Sequence, residues 1–194
     1  MKHPNWKMGK KISVDSANMM NKIFEVLEAC RLFSFDKSKY KILIHPQSYV
    51  HSIIKFKNGL IKMILYNSDM KIPIFNILYE GRKKSLITSP IEIKKINNLN
   101  FKKINIKKFP SIKLLKKCFT SGPSAPIIIN SANEVLVELF LKGKIGFLDI
   151  VKKINSILKD KDFKKYAKRK PSSIKGIKIT DDWARLKIIN MCVK

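Results

Sequence analysis

The spacing of apolar residues changes twice along this chain, and this change limits the fold more than any other feature. Within residues 16–33, apolar side chains recur every three or four positions, the pattern of one buried helix face. Residues 41–67 contain short runs of β-branched and aromatic residues instead, and helical spacing returns from residue 111 onward. The sequence therefore predicts an α+β fold.

The first helix is predicted to begin near residue 16. Asp15 and Ser16 have side chains that accept hydrogen bonds from the free N–H groups of a first helical turn, so both are good N-cap residues. Residues 1–12 contain Pro4 and Gly9 among lysines and are predicted to form a loop.

A small sheet is predicted next. Residues 41–45 form a short strand candidate, and the runs 49–56 and 60–66 flank Asn58 and Gly59. Both of these turn residues tolerate positive φ, which favours a tight hairpin. We therefore expect a small mixed or antiparallel sheet.

The remaining chain is predicted to be mostly helical. Residues 72–79 favour another helix, whereas 81–110 lack sustained periodicity and indicate a connecting segment with room for one short strand. Short amphipathic helices joined by short loops indicate a small helical bundle over 111–194. Its helices are predicted at 111–120, at 147–158 and from Asn130 or Ser131 through 141. A last helix is predicted at 180–193, beginning with Thr180, Asp181 and Asp182.

The charge of the chain is strongly positive. There are 41 lysines and arginines against 14 acidic residues, a formal net charge of +27, which would attract nucleic acid. However, the lysines are scattered among isoleucines and asparagines, as an A/T-rich genome would encode them, and the aromatic residues lie in apolar runs. A nucleic-acid-binding module is therefore the minor alternative.

The cysteines and the hydropathy favour a cytoplasmic protein. Cys30, Cys118 and Cys192 are widely separated and lack metal-ligand spacing, so they are expected to be small buried residues in a reducing compartment. No apolar run follows the basic start, and no stretch approaches the ~18–20 apolar residues of a membrane span. We expect no membrane association.

Four polar residues of the first predicted helix suggest a site. The hydroxyl of Ser16 and the free N–H groups of the first turn would form an anion pocket, to which Lys22 adds a positive charge. Asn21, Lys22 and Glu25 share one side of the helix. A carboxylate beside an anion site makes sense if a divalent cation lies between them.

A simpler interpretation of the same residues is open. Glu25 and Lys22 would then be a surface ion pair, Asn21 a solvated side chain and Ser16 only a helix cap.

An ordered series of motifs runs through the chain. They read HPNWKMGKKISVDSANMMNK at 3–22, followed by Glu25, then IHPQSYVHS at 44–52, DMKIPI at 69–74, FP at 109–110 and PIIINSANEVLV at 126–137. In this order they resemble the 1-deoxy-D-xylulose 5-phosphate reductoisomerase family, and the resemblance covers essentially the whole chain.

The resemblance implies an enzyme of non-mevalonate isoprenoid biosynthesis that converts a linear ketose phosphate to 2-C-methyl-D-erythritol 4-phosphate, with NADPH and Mg²⁺ or Mn²⁺, as a homodimer. The residues implied to bind the phosphosugar are His3, Trp6, Ser16, Asn21, Lys22 and Glu25. Those implied to act in catalysis are His3, Lys22 and Glu25, with Glu25 as the metal ligand. Those implied to lie at the nucleotide cofactor are Met8, Gly9 and Met70.

The resemblance also divides the chain. It implies a catalytic-domain portion at 1–80, a linker at 81–110 and a helical bundle at 111–194. Family members begin with a dinucleotide-binding domain and a segment that gives two more metal carboxylates, and no glycine fingerprint for a dinucleotide occurs in these 194 residues. We therefore expect the C-terminal part of such an enzyme, inactive without an N-terminal NADPH-binding fragment. A basic nucleic-acid-binding module and a purely structural dimerisation piece are the alternatives.

Three further residues match the family, and their roles are left open to different degrees. His45 at a strand end is expected to be a hydrogen-bonded structural residue, whereas His51 and Ser48 stay undecided. Residues 130–134 are expected to serve helix capping and packing between domains.

Overall fold

The chain is mostly helical, with two small antiparallel sheets, in a computed structural model that describes residues 9–34, 36–90 and 92–192. Within these ranges the α-helices are α1 (Lys10–Ala17), α2 (Met20–Phe33), α3 (Lys71–Leu78), α4 (Ile93–Asn97), α5 (Lys113–Thr120), α6 (Ala125–Leu141), α7 (Phe147–Ile157), α8 (Phe163–Ala167) and α9 (Ile174–Cys192). The strands there are β1 (Leu43–Ile44), β2 (Val50–Lys55), β3 (Ile61–Leu65) and β4 (Lys102–Lys103). The predicted α+β class is confirmed.

The described chain divides into two compact units. The helical unit comprises residues 9–40 and 105–192, and the sheet unit comprises Lys41–Ile104. Helices α1 and α2 therefore belong to the same unit as the C-terminal helices, although they lie before residue 80 in the sequence. The domain boundaries at 80 and 110 stay a prediction about the family's domains.

Helix α6 is the centre of the helical unit. It contacts α1, α5, α7, α8 and α9, and its Ile128, Ile129 and Leu136 are fully buried. The predicted start at Asn130 or Ser131 is wrong, because the helix begins at Ala125 with Pro126 in its first turn. Proline needs no N–H partner there, so it starts the helix without cost.

Helix α9 also begins earlier than predicted. Its first residue is Ile174, and Thr180 is buried inside the helix, where its hydroxyl donates to the carbonyl of Gly176 at 3.2 Å. The predicted start at Thr180 is therefore wrong, because this threonine bonds to the preceding turn instead of capping a new helix.

The turn before α6 requires glycine. Gly122 has a φ of +130°, and a Cβ placed on it would collide with the backbone of Ala167 at the end of α8. This close approach lets the N–H of Ser124 reach the carbonyl of Ala167 at 3.0 Å. The turn thereby ties the start of α6 to α8.

The sheet unit contains the predicted hairpin. Strands β2 and β3 pair antiparallel around Asn58 and Gly59, which has a φ of +91°, with a register irregularity between Val50 and Ser52. Strand β1 pairs with β4, so the predicted connecting segment does hold one short strand. It also holds α4, which the sequence did not predict. Helix α3 forms as expected.

The cysteines are free, as expected. Burial raises the pKa of the Cys118 thiol to about 12, whereas Cys30 and Cys192 are partly buried. Among the described residues, no helix combines the length and the apolar character needed to cross a membrane.

Candidate functional site

The helix predicted over residues 16–33 is two helices with a tight turn between them, and α1 already begins at Lys10, inside the predicted loop 1–12. Ser16 lies in the last turn of α1, and its carbonyl accepts the N–H of Met19 at 3.3 Å. Met19 has a φ of 65°, and α2 begins at Met20. Asp15 and Ser16 are therefore not N-caps, and the predicted pocket of first-turn N–H groups around Ser16 is wrong.

Asn18 explains why the helix breaks here. Its side-chain oxygen accepts the N–H of Met20 at 3.0 Å, and its backbone N–H still bonds to Val14 at 3.1 Å. An asparagine that captures the N–H two residues ahead forms a turn in place of the next helical hydrogen bonds. An asparagine just before an apolar helical run was the signal in the sequence that could have located the turn.

Three polar residues do gather on the first turns of α2. The ammonium of Lys22 lies 2.9 and 2.7 Å from the two carboxylate oxygens of Glu25, and the amide nitrogen of Asn21 lies 3.4 Å from one of them. The simpler interpretation correctly gives the contact between Glu25 and Lys22, whose side chains are 52% and 40% exposed. Such an exposed pair adds only about 0–1 kcal/mol to stability, so stability alone does not require it.

Asn21 is not a solvated side chain. Its amide oxygen is buried and has no hydrogen-bond partner within the described part of the chain. A buried acceptor without a donor is uncommon in native proteins, although the described part of the chain has others, such as the amide oxygen of Asn133. The amide nitrogen of Asn21 points to Glu25. Its amide oxygen can therefore accept a hydrogen bond from a hydroxyl group.

Glu25 is a suitable oxygen donor for a hard divalent cation, but it stands alone. No group of three or more histidine, cysteine, aspartate or glutamate residues with metal-binding geometry occurs in the ranges 9–34, 36–90 and 92–192. A magnesium ion is usually held by one or two protein carboxylates plus water and substrate oxygens. These residues therefore supply one ligand and not a complete cation site.

The other residues implied to lie at the phosphosugar and at the cofactor are only partly described. His3, Trp6 and Met8 lie outside the described residues. Gly9 is exposed and precedes α1 in an extended conformation. Met70 precedes α3 in the sheet unit, is 55% exposed, and its neighbours Asp69 and Lys71 line a cavity of about 250 Å³.

The two histidines of the sheet unit have different surroundings. The Nδ1 atom of His45 lies 2.8 Å from the carbonyl of Asn100, and the ring stacks on Phe101 at 4.8 Å. This contact agrees with the structural role expected for His45. His51 is exposed and stacks on Tyr66 with ring centroids 3.6 Å apart.

The segment 130–134 lies inside α6 and does not cap it. Ser131 and Glu134 instead bond to α9, where Asp181 accepts from Ser131 and Arg185 donates to both Asp181 and Glu134. Burial would raise the pKa of Asp181, but the bonds from Arg185 and Ser131 outweigh it and hold that pKa below its usual range. The hydrogen bonds that Arg185 donates to Asp181 and Glu134 raise the pKa of its guanidinium.

Comparison with known proteins identifies the family. A family described as "DXP reductoisomerase C-terminal domain" matches residues 65–187, and one described as "1-deoxy-D-xylulose 5-phosphate reductoisomerase C-terminal domain" matches residues 1–33. A 1-deoxy-D-xylulose 5-phosphate reductoisomerase from Pelagibacter ubique is 46% identical over 193 residues, which cover 100% of this chain and 50% of that protein. This chain belongs to the 1-deoxy-D-xylulose 5-phosphate reductoisomerase family.

Other reductoisomerases agree in sequence and in fold. One from Clostridium botulinum is 47% identical over 77% of this chain and 39% of its own length. The solved reductoisomerase from Zymomonas mobilis, in complex with NADPH, superposes with a TM-score of 0.85 at 34% identity over 94% of this chain and 47% of its own. Another, in complex with NADPH, fosmidomycin and magnesium, gives a TM-score of 0.90 at 35% identity over 97% of this chain and 47% of its own. The chain thus spans about half the length of the reductoisomerases it matches.

Proposed function

We propose that this chain is the C-terminal half of a 1-deoxy-D-xylulose 5-phosphate reductoisomerase. With an N-terminal half it would convert 1-deoxy-D-xylulose 5-phosphate to 2-C-methyl-D-erythritol 4-phosphate in isoprenoid biosynthesis. The observation that carries the proposal is the cluster of Asn21, Lys22 and Glu25 on α2. The whole of this chain is 46% identical to half of such an enzyme.

The chemistry of the cluster suits a phosphosugar. Lys22 is a half-exposed point charge that can turn from Glu25 to a phosphate oxygen. The buried amide oxygen of Asn21 can accept a sugar hydroxyl, and Ser16 can donate its hydroxyl to the phosphate. His3 and Trp6 are proposed to contact the sugar from the segment before α1.

Glu25 is proposed to bind the metal together with ligands from another part of the enzyme. Its carboxylate is proposed to be one oxygen ligand of Mg²⁺ or Mn²⁺, while the other protein ligands come from the N-terminal half. NADPH, proposed to approach Met8, Gly9 and Met70, supplies the hydride for the reduction. The isolated chain is therefore proposed to be inactive.

The sheet unit is proposed to contribute the contact of a homodimer. The β2–β3 hairpin exposes apolar side chains along both strands, which is unfavourable in water unless another surface covers them. The exposed residues are Ile53, Ile54, Ile61, Met63 and Ile64. This proposal keeps the sheet within the predicted catalytic-domain portion, 1–80, joined by the linker 81–110 to the bundle 111–194.

Activity of a two-part enzyme tests the proposal. This chain is mixed with the N-terminal half of the Pelagibacter ubique relative, and assembly is checked by co-elution before NADPH consumption is measured with 1-deoxy-D-xylulose 5-phosphate and Mg²⁺. Turnover that needs both halves is the expected result. If the halves do not assemble, the same assay is made on the two joined by a flexible linker. A folded, assembled enzyme without turnover would rule the proposal out.

A further inference from the structure

Asp15 is a buried carboxylate directly before Ser16. Its side chain is 6% exposed, one oxygen accepts the amide N–H of Asn133 at 2.8 Å, and the other accepts the ammonium of Lys11 at 2.8 Å. A buried carboxylate is unfavourable unless its oxygens are hydrogen-bonded. Asn133 comes from α6, so this bond attaches the end of α1 to the central helix of the unit.

The other side of the turn is attached as well. The hydroxyl of Ser111 donates to the backbone carbonyl of Asn18, and both residues are buried. The left-handed backbone of Met19 is uncommon for a residue with a side chain and persists only where surrounding contacts hold it. The turn between α1 and α2 is therefore fixed from α6 and from the segment before α5.

This attachment lies close in sequence to the polar cluster. Ser16 lies two residues before Asn18, where the turn begins. Asn21 and Lys22 are the second and third residues of α2, directly after Met20, which is fully buried. A shift of the turn on α6 would move Ser16 relative to Lys22. Groups that bind one ligand lose much of their effect when displaced by about 1 Å.

We propose that Asn133 and Asp15 are positioning residues, whose hydrogen bond holds the α1–α2 turn against α6 so that Ser16, Asn21 and Lys22 face one phosphosugar. The inference rests on the proposed function. Neither residue is proposed to touch the substrate.

Ser131 provides a matched control for this role. It lies on α6 two residues before Asn133, it is equally buried, and its hydroxyl donates to Asp181 of α9 and not to α1. Loss of either side chain removes a buried hydrogen bond of α6. Of these two losses, only that of the Asn133 amide removes a contact that attaches the end of α1 beside the site.

The test compares Asn133→Ala with Ser131→Ala in the assembled two-part enzyme, well below its Tm. Each variant is expected to lower the Tm by about 2–4 °C. Asn133→Ala is expected to raise the KM for 1-deoxy-D-xylulose 5-phosphate about tenfold or more while kcat falls less than about threefold. Ser131→Ala is expected to leave KM within about twofold.

A conservative variant separates positioning from folding. Asp15→Asn keeps an oxygen that accepts from Asn133, and Lys11, which is 44% exposed, can turn to solvent. Its KM is expected to stay within about threefold of the parent, whereas Asp15→Ala behaves like Asn133→Ala. Equal KM values for Asn133→Ala and Ser131→Ala would overturn the inference. Absence of turnover in the parent enzyme would instead contradict the proposed function.

Discussion

The helical unit and the sheet unit differ in how much apolar surface they bury. Among the described residues, every buried hydrophobic side chain except Tyr49 lies in the helical unit. The sheet unit leaves both strands of its hairpin apolar and exposed, and two-stranded sheets are marginal by themselves. The helical unit therefore carries its own core, whereas the hairpin of the sheet unit leaves its apolar side chains exposed.

The candidate site follows the same division. Asn21, Lys22 and Glu25 project from a helix whose other face, with Met20, Ile23 and Leu27, is part of the core. A rigid scaffold holds functional groups more accurately than a mobile one. The candidate cluster on α2 therefore lies in the unit that has a core.

The largest difference between the two units is expected in core substitutions. Ile154→Ala in α7 removes a fully buried side chain from the helical core and is expected to lower the free energy of unfolding by about 2–5 kcal/mol. Ile61→Ala in β3, where the side chain is 59% exposed, is expected to change it by less than about 0.5 kcal/mol. Urea unfolding measures both, and equal losses would show that the hairpin is also part of a core.

The next effect should be large on activity and small on stability. Glu25→Gln in the assembled enzyme is expected to lower kcat/KM about 100-fold, because the side chain proposed to bind the metal loses its negative charge. Since Glu25 is exposed, the free energy of unfolding of the variant should differ from that of the parent by less than about 1 kcal/mol. Glu28→Gln, at an exposed position three residues later on α2, is the control. A similar loss in both variants would place the site elsewhere.

The smallest effect concerns acid stability of the helical unit. The pKa of Asp181 is lowered in the folded protein, so its contribution to stability is complete above its unfolded pKa and is lost as the pH falls through the folded value. Below about pH 4, the urea midpoint should therefore fall less steeply with decreasing pH for Asp181→Asn than for the parent. Asp182→Asn, at the exposed neighbouring position, should follow the parent curve. Identical curves for all three proteins would contradict the importance of this network.

The sequence predicted those elements whose pattern is local. The hairpin around Asn58 and Gly59 and helix α3 depend on turn chemistry and short apolar runs, and both formed as expected. The contact between Lys22 and Glu25 follows from their spacing of three residues on one helix.

Distant contacts decided what the sequence did not predict. Asn18 was a local signal for the break between α1 and α2, but the bond that its carbonyl accepts from Ser111, 93 residues later, lies outside any window around Ser16. Likewise, Ser131 and Thr180 were candidate helix starts by residue type, but both are buried inside helices, where their hydroxyls contact the carbonyls of Ile127 and Gly176 in the preceding turns. Local propensity gives way where tertiary packing satisfies the same polar groups.

The most direct test of the account is the affinity of the assembled enzyme for 1-deoxy-D-xylulose 5-phosphate, measured by calorimetry with Lys22→Ala and with Lys10→Ala as the control at an exposed position on α1. Removing the ammonium that is proposed to bind the phosphate is expected to weaken binding about 10–100-fold, whereas Lys10→Ala should leave it unchanged. Unchanged affinity in a folded Lys22→Ala enzyme would contradict the assignment of this cluster to the phosphosugar.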